Sequence, residues 1–374
     1  MRIVFIAVKG LPIGGGIEKL TEEIGVRLVK RGHQVTVYSS RDYGTYDGNY
    51  KGMEIVTVPS INNKFLHKLS ICFFATIHTI LKHNADIVHF HAVGPSIFSI
   101  FPRIVGIPTV VQTHGLEWKR DKWGKIGKFF LKLADYTAVY FPNRITSVSL
   151  VQKQYYEKKF GKEVIYIPTG VNNVSLRQPD LLLRQGIKPW KYILFAARLV
   201  EEKGAHFLIK AFREIDTDMQ LIIAGDAAHS ENYKSELKKL ADGDKRIKFL
   251  GFVTGRYLEE LFSSAYIFCL PSTLEGLPIA LLEAMSYANC CLASDIPENL
   301  EALQGHGFTF KTRDWHSLKK ELEALILAPD LVESKKKDAR DYVVRNYSWD
   351  KIADDIEKLY FSLFKMTKSS NEVQ

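Results

Sequence analysis

The feature that most constrains this chain is an alternation of short apolar strands with helical patterns that runs along it twice. In the first half, strands are predicted over residues 3–8, 34–38, 54–58, 87–90, 109–112, 144–148 and 164–167, with helical patterns between them at 17–30, 65–82 and 126–140 among others. In the second half, strands are predicted over 192–196, 220–224, 247–250, 267–270 and 290–293. Val and Ile runs that stay apolar throughout fit strands buried on both faces of a parallel sheet. The pattern stops at Pro168-Thr169-Gly170-Val171-Asn172 and resumes after Pro189. At 374 residues the chain is also too long for one ordinary core, so two domains of roughly 170–200 residues are expected. The fold class is therefore α/β: two doubly wound, Rossmann-like domains over 1–170 and 171–348, their strand carboxyl ends facing an interdomain cleft where a ligand would bind. Residues 349–364 read as an amphipathic helix, followed by a polar tail to 374.

The most informative motif is Ser272-Thr273-Leu274-Glu275-Gly276-Leu277-Pro278-Ile279-Ala280-Leu281-Leu282-Glu283-Ala284-Met285, which follows an apolar strand. Pro278 suits the start of a helix, where a missing N–H costs nothing. Such a start offers free amides and a positive dipole end to a phosphate. Glu275 precedes the helix and Glu283 lies one to two turns inside it, so the two carboxylates could grip two hydroxyl-rich parts of one ligand. This reads as a sugar-nucleotide site. Gly-Leu-Pro before an amphipathic helix is also ordinary turn chemistry, and two glutamates on a surface helix are commonly solvated.

Glu275-Gly276-Leu277-Pro278 through Glu283 resembles the carboxylate pair of the retaining glycosyltransferases of family 4, which have the two-domain GT-B fold. The resemblance covers nearly the whole chain. It implies that Glu275 contacts donor-sugar hydroxyls, that Glu283 holds the nucleotide ribose, and that Gly276, Leu277 and Pro278 lie against the donor. Ala197-Arg198-Leu199-Val200-Glu201-Glu202-Lys203-Gly204 resembles the family's Arg-x4-Lys-Gly element, whose cations bind the donor diphosphate. A leaving diphosphate gains negative charge as the glycosidic bond breaks, and Arg198, Lys203 and helix-end amides can stabilise it without a metal ion or other cofactor. The bland alternative is a solvated charge cluster in a βα loop.

Further positions extend the resemblance. Thr113-His114-Gly115 follows a strand, and His114 falls where the family has a histidine near the reacting sugar; His89 and His91 read as structural. The segment after it, from Leu116 to Trp123, resembles bacterial members acting in surface-polysaccharide assembly. Gly14-Gly15-Gly16-Ile17-Glu18 resembles a turn beside the phosphates and acceptor, which implies roles for Gly15 and Gly16, although a simple tight turn would also explain it. A dinucleotide-binding reading fails, because the spacing is not G-x-G-x-x-G and Ser39-Ser40-Arg41 supplies no ribose-binding acid. Asn172 enters the second domain and is placed toward the cleft. Gly225 ends a strand, with a departure from the family at Asp226-Ala227-Ala228. Gly251-Phe252-Val253 resembles the segment whose backbone meets the nucleobase. Asp216-Thr217-Asp218 mimics a metal motif but falls in a helix-to-strand turn, and is not assigned to a metal.

Composition sets the setting. Apolar residues make up 46% and charged residues 25%, as in soluble globular proteins, and no apolar run reaches the roughly 18–20 residues that span a bilayer. The N-terminus reads as a first buried strand and not a signal segment. Cys72, Cys269, Cys290 and Cys291 lie in apolar surroundings without CxxC spacing, which fits core thiols in the cytoplasm. Residues 1–170 carry 23 Lys and Arg against 12 Asp and Glu, so the whole net charge of +9 belongs to the first half. Lys119, Arg120, Lys122, Lys125, Lys128 and Lys132 interleave with Trp118, Trp123, Phe129 and Phe130, and Lys64, Lys68 and Lys82 flank the apolar helix pattern over 65–82. This suits peripheral contact with an anionic membrane at its inner face. Stacking on nucleic acid would use the same residue types, but no nucleic-acid motif accompanies them. A core face with a solvated basic back is the plain alternative.

The reading is a retaining, metal-independent transferase that moves a hexose from a nucleotide-diphosphate sugar to a saccharide or polyprenyl-diphosphate-linked acceptor in surface-polysaccharide assembly. Its rivals are a sugar-nucleotide epimerase of the same fold and a non-catalytic basic adaptor for membranes or nucleic acid.

Overall fold

A computed structural model describes residues 1–12, 15–44, 47–63, 66–82, 85–120, 123–227 and 231–372, with backbone only over 367–372. Gly14, Lys64, Phe65, Lys122 and Ala228 lie outside the described residues. The chain forms two compact units, Met1–Gly170 with Trp349–Gln374, and Val171–Ser348.

The first unit is built on β1 (Arg2–Ile6), β2 (Gln34–Ser39), β3 (Gly48–Tyr50), β4 (Met53–Thr57), β5 (Ile87–His91), β6 (Thr109–Thr113), β7 (Arg144–Ser147) and β8 (Ile165–Tyr166). Their order across the sheet is β3-β4-β2-β1-β5-β6-β7-β8, all parallel except β3. Both faces are covered, as continuous apolar runs require. Ile3 and Phe5 join the core beneath helix Gly16–Lys30, while Val4 and Ile6 join the core on the other face with Phe90 and Val111. Gly25 lies inside Gly16–Lys30 because a Cβ there would stand 2.3 Å from the Met53 sulfur.

The second unit contains β9 (Tyr192–Ala196), β10 (Gln220–Ala224), β11 (Ile247–Gly251), β12 (Ile267–Leu270), β13 (Cys290–Ser294) and β14 (Phe308–Phe310), ordered β11-β10-β9-β12-β13-β14. The order reverses direction between β9 and β12, as it does between β1 and β5 in the first unit. In open α/β sheets ligands bind beyond the strand carboxyl ends at such a reversal.

Two strands escaped the sequence pattern. Gly48–Tyr50 is a polar antiparallel edge, and Phe308–Phe310 is too short to show a period. β1 ends at Ile6, short of the expected residue 8, because Ala7 turns to φ 75°. The last helix, Trp349–Glu372, runs beyond the expected residue 364 into the polar tail. Trp349, Ile352, Ile356, Tyr360 and Leu363 are buried in the first unit's core at three- and four-residue spacing. Arg27 meets Asp350 at 2.7 Å, and Arg31 meets Glu357 at 2.9 Å, holding this helix along Gly16–Lys30. All four cysteines are buried and unbridged.

Candidate functional site

In the second unit, the motif residues collect at the carboxyl ends of four parallel strands. Arg198 and Lys203 follow β9, Gly225 follows β10, Phe252 and Val253 follow β11, and Glu275, Gly276, Leu277 and Pro278 follow β12. Backbone hydrogen bonds tie these loops into one body. Leu199 N–H donates to Asp226 O at 3.0 Å, Gly225 N–H to Gly251 O at 2.8 Å, and Thr273 N–H to Glu202 O at 2.8 Å. Two glycines permit the approach. A Cβ on Gly225 would stand 1.9 Å from Ala197 O, and one on Gly204, itself at φ 71°, would stand 2.0 Å from Pro271 O.

The chemistry centres on Lys203 and Glu275, 72 residues apart. The lysine Nζ donates to Glu275 Oε1 at 2.6 Å and to Oε2 at 2.7 Å, and Ser272 Oγ donates to Oε1 at 2.6 Å. Glu275 is 8% exposed, so the pairing offsets the desolvation of a buried carboxylate. An ammonium has three N–H donors, and two of them reach Glu275. Arg198 is exposed and forms no ion pair among the described residues. The helix after the motif is Ile279–Ser286, with Pro278 as its N-cap residue, one place earlier than a first-turn proline. Glu283 lies half-buried in that helix. Asn172 lies beside the bridge between Val171 and Ser348, where the chain enters and leaves the unit. Asp218 of the Asp216-Thr217-Asp218 turn pairs with Lys191 at 2.7 Å.

In the first unit, Gly15 caps helix Gly16–Lys30, and a Cβ on it would stand 2.1 Å from Glu18 Oε2. The other oxygen of this buried carboxylate accepts from Lys9 N–H at 3.1 Å, so a side chain at Gly15 would displace the Glu18 carboxylate from its present place. His114 follows β6 and ends a column of imidazoles. His89 and His91 project from β5 on one face and stack at 4.6 Å between ring centroids, and Phe5 packs on both. His91 Nδ1 and His114 Nε2 are 3.1 Å apart. Burial, then Lys68 and His89, pushes the His114 pKa down to about 3, so the ring is neutral near pH 7. Ala7 and Ala92, ending the neighbouring strands β1 and β5, both hold positive φ, at 75° and 83°. Such strained residues cluster at functional sites.

From sequence His91 reads as structural, Ser272 is quoted in the motif without a role, and Thr21 is not singled out. Ser272 stands in the motif itself, three residues before Glu275, a visible signal. His91 and Thr21 carry no local signal, since strand pairing alone brings them together.

Helix Lys125–Tyr140 turns its apolar stripe outward. Ile126 is 75% exposed, Phe129 65%, Phe130 62% and Leu133 52%, while Asp135, Ala138 and Val139 are buried on the other side. The plain expectation of an apolar face in the core is thus overturned here. Asp135 accepts from the Tyr155 and Tyr156 hydroxyls at 3.0 Å, and the Lys132 ammonium lies 4.9 Å from the Trp118 ring centre. Among the described residues no helix is long and apolar enough to cross a membrane.

Similarity to known proteins divides along the same two units. Residues 14–173 match the family described as Glycosyltransferase Family 4, and residues 185–342 match Glycosyl transferases group 1. The chain is 26% identical over 302 residues to UDP-Gal:alpha-D-GlcNAc-diphosphoundecaprenol alpha-1,3-galactosyltransferase of Escherichia coli, covering 75% of this chain and 76% of that one. Its fold matches sucrose-phosphate synthase from Thermosynechococcus elongatus with a TM-score of 0.84 at 18% identity, over 98% and 99% of the two chains. It also matches the Anabaena protein HepE, solved in complex with UDP and glucose, with a TM-score of 0.81 at 19% identity over 97% and 100%.

Proposed function

From the premise that this chain belongs to the family 4 and group 1 glycosyltransferases, with the GT-B fold, we propose that it transfers a hexose with retention of configuration from a nucleotide-diphosphate sugar to a saccharide or polyprenyl-diphosphate-linked acceptor. The carrying observation is the joining of the 198–204 and 272–278 loops through Lys203, Glu275 and Ser272. Arg198 and the remaining Lys203 N–H hold the donor diphosphate, Glu275 orients sugar hydroxyls, Glu283 holds the ribose, and His114 meets the transferred sugar. Gly225, Phe252 and Val253 receive the nucleobase. Gly15 and Gly16 stand beside the phosphates, and Asn172 belongs to the donor's surroundings.

As the bond from the anomeric carbon to phosphate breaks, charge grows on the diphosphate, where Arg198 and Lys203 oppose it without a metal ion. Glu275 is engaged by Lys203 and Ser272, which disfavours it as a covalent nucleophile. On the route that the family resemblance implies, the acceptor hydroxyl attacks from the face the diphosphate leaves, and its proton passes to the departing phosphate oxygen. The lipid-diphosphate acceptor rests on what the Escherichia coli relative acts on. The outward apolar stripe of Lys125–Tyr140, beside Lys125, Lys128 and Lys132, supports work at the anionic inner face of a membrane from the cytoplasm.

Purified protein screened against a panel of sugar nucleotides should be thermally stabilised by one of them. With that donor and its acceptor, Glu275→Gln and Arg198→Ala should each lower turnover at least about a hundredfold, the size of a lost charge contact in the transition state. Turnover should survive EDTA. Near-normal rates in both variants would defeat the assignment, and isomerised sugar from donor alone would favour an epimerase.

A further inference from the structure

We infer that His91, backed by Thr21, is a positioning residue that holds His114 in its Nε2–H tautomer and leaves Nδ1 free to accept from a ligand hydroxyl; this rests on the reading that His114 meets the transferred sugar. The protons can be counted along the chain of contacts. A neutral imidazole has one N–H and one bare nitrogen, and a hydroxyl has one proton. Thr21 Oγ1 donates its proton to Ile17 O at 2.9 Å, the i−4 carbonyl of its own helix. It can then only accept from His91 Nε2, which lies 3.4 Å away. His91 Nε2 therefore carries the ring proton, and His91 Nδ1 is bare. The contact at 3.1 Å is then His114 Nε2–H donating to His91 Nδ1. His114 Nδ1 is left unprotonated, and it has no partner among the described residues.

Packing holds the array in place. Phe5 stacks on His91 with ring centres 5.5 Å apart and planes at 22°. His89 also stacks on His91 and is itself anchored, Nδ1 to the Tyr360 hydroxyl, at 2.6 Å. Burial lowers the pKa of all three histidines, His91 further by His89, His114 and Lys68, so the neutral count applies at working pH. A bare Nδ1 selects for a hydroxyl donor and against a group that only accepts. His114 thus recognises a sugar hydroxyl and does not protonate the leaving phosphate. A site built to pair a hydroxyl rejects an analogue that lacks it, because the acceptor it offers is left unpaired once the ligand covers it.

The test uses the full chain labelled with 15N-histidine, without ligand, at pH 7.5. Long-range proton–nitrogen correlation identifies the protonated nitrogen of each ring, and His114→Gln assigns the His114 signals by their disappearance. The expected result is a protonated Nε2 and a bare Nδ1 at His114; a protonated Nδ1 overturns the inference. Thr21→Val removes the acceptor behind His91 and keeps its shape. It should mix the His114 tautomers and lower kcat about tenfold, the worth of one hydrogen bond, whereas Thr21→Ser should retain both signals and rate. A Thr21→Val protein that melts lower yet keeps the His114 nitrogen pattern and kcat would reduce Thr21 and His91 to packing, and overturn the inference. His114→Ala separates the premise from the tautomer: normal turnover there removes His114 from the substrate, while the nitrogen spectrum of the unliganded chain is read regardless.

Discussion

Lowering the pH from 7.5 to 5.5 should loosen the first unit through its neutral histidine column. The ordinary imidazole pKa is 6.5; burial holds His89 and His114 near 3 and His91 well below the ordinary value. A depressed pKa in the folded state means that the unfolded chain binds the proton first. Stability from these rings is therefore complete above pH 6.5 and falls as pH drops from there toward 3. One unit below 6.5, each ring favours unfolding by about 1.4 kcal/mol, and the three together by about 4 kcal/mol. Paired carboxylates titrate at lower pH and stay outside this window. Hydrogen exchange read peptide by peptide, corrected for intrinsic rate, should show protection over β1, β5 and β6 falling about a thousandfold between the two pH values. In the second unit His206, lowered to about 4 by burial and then by Lys210, should reduce protection over β9 and β10 only about tenfold. Equal losses in both units, or none in the first, would refute the argument that the column is held neutral by the fold.

Three further outcomes are expected. Gly225→Ala should cost roughly 2–3 kcal/mol and abolish stabilisation by the sugar nucleotide, because the new methyl meets the backbone oxygen of Ala197; donor-dependent melting checks it. Glu260 is fully buried and accepts from Leu181 N–H at 2.7 Å, so Glu260→Ala should lose about 2–3 kcal/mol in urea titration and Glu260→Gln distinctly less. Phe129→Glu with Phe130→Glu should weaken binding to anionic vesicles at least about tenfold, since each buried aromatic contributes roughly 1.5–3 kcal/mol. Melting should stay unchanged in that variant because both rings are exposed.

The strand–helix alternation was legible because both sheet faces are covered, which makes β9 and β12 apolar throughout and β1 and β10 apolar after their first residue, Arg2 and Gln220. It failed at Gly48–Tyr50, an edge strand with nothing to bury, and at the polar end of Trp349–Glu372, where continuation of the helix leaves little apolar signal. The Arg198, Lys203, Glu275 and Gly225 positions were legible as loops at strand ends. Their roles rest on the proposed chemistry, and the turnover of the variants above decides them.

By itself the order of residues determined the parallel α/β sheets, the two-part organisation and the loops that carry charge, since these follow from local periodicity and from where it breaks. Tertiary structure decided which distant groups meet. The strand orders bring Lys203 to Glu275 and Thr21 through His91 to His114, across 72, 70 and 23 residues of chain. It also decided that the apolar stripe of Lys125–Tyr140 faces outward. Periodicity tells which side chains share a face, and only packing decides whether that face is covered.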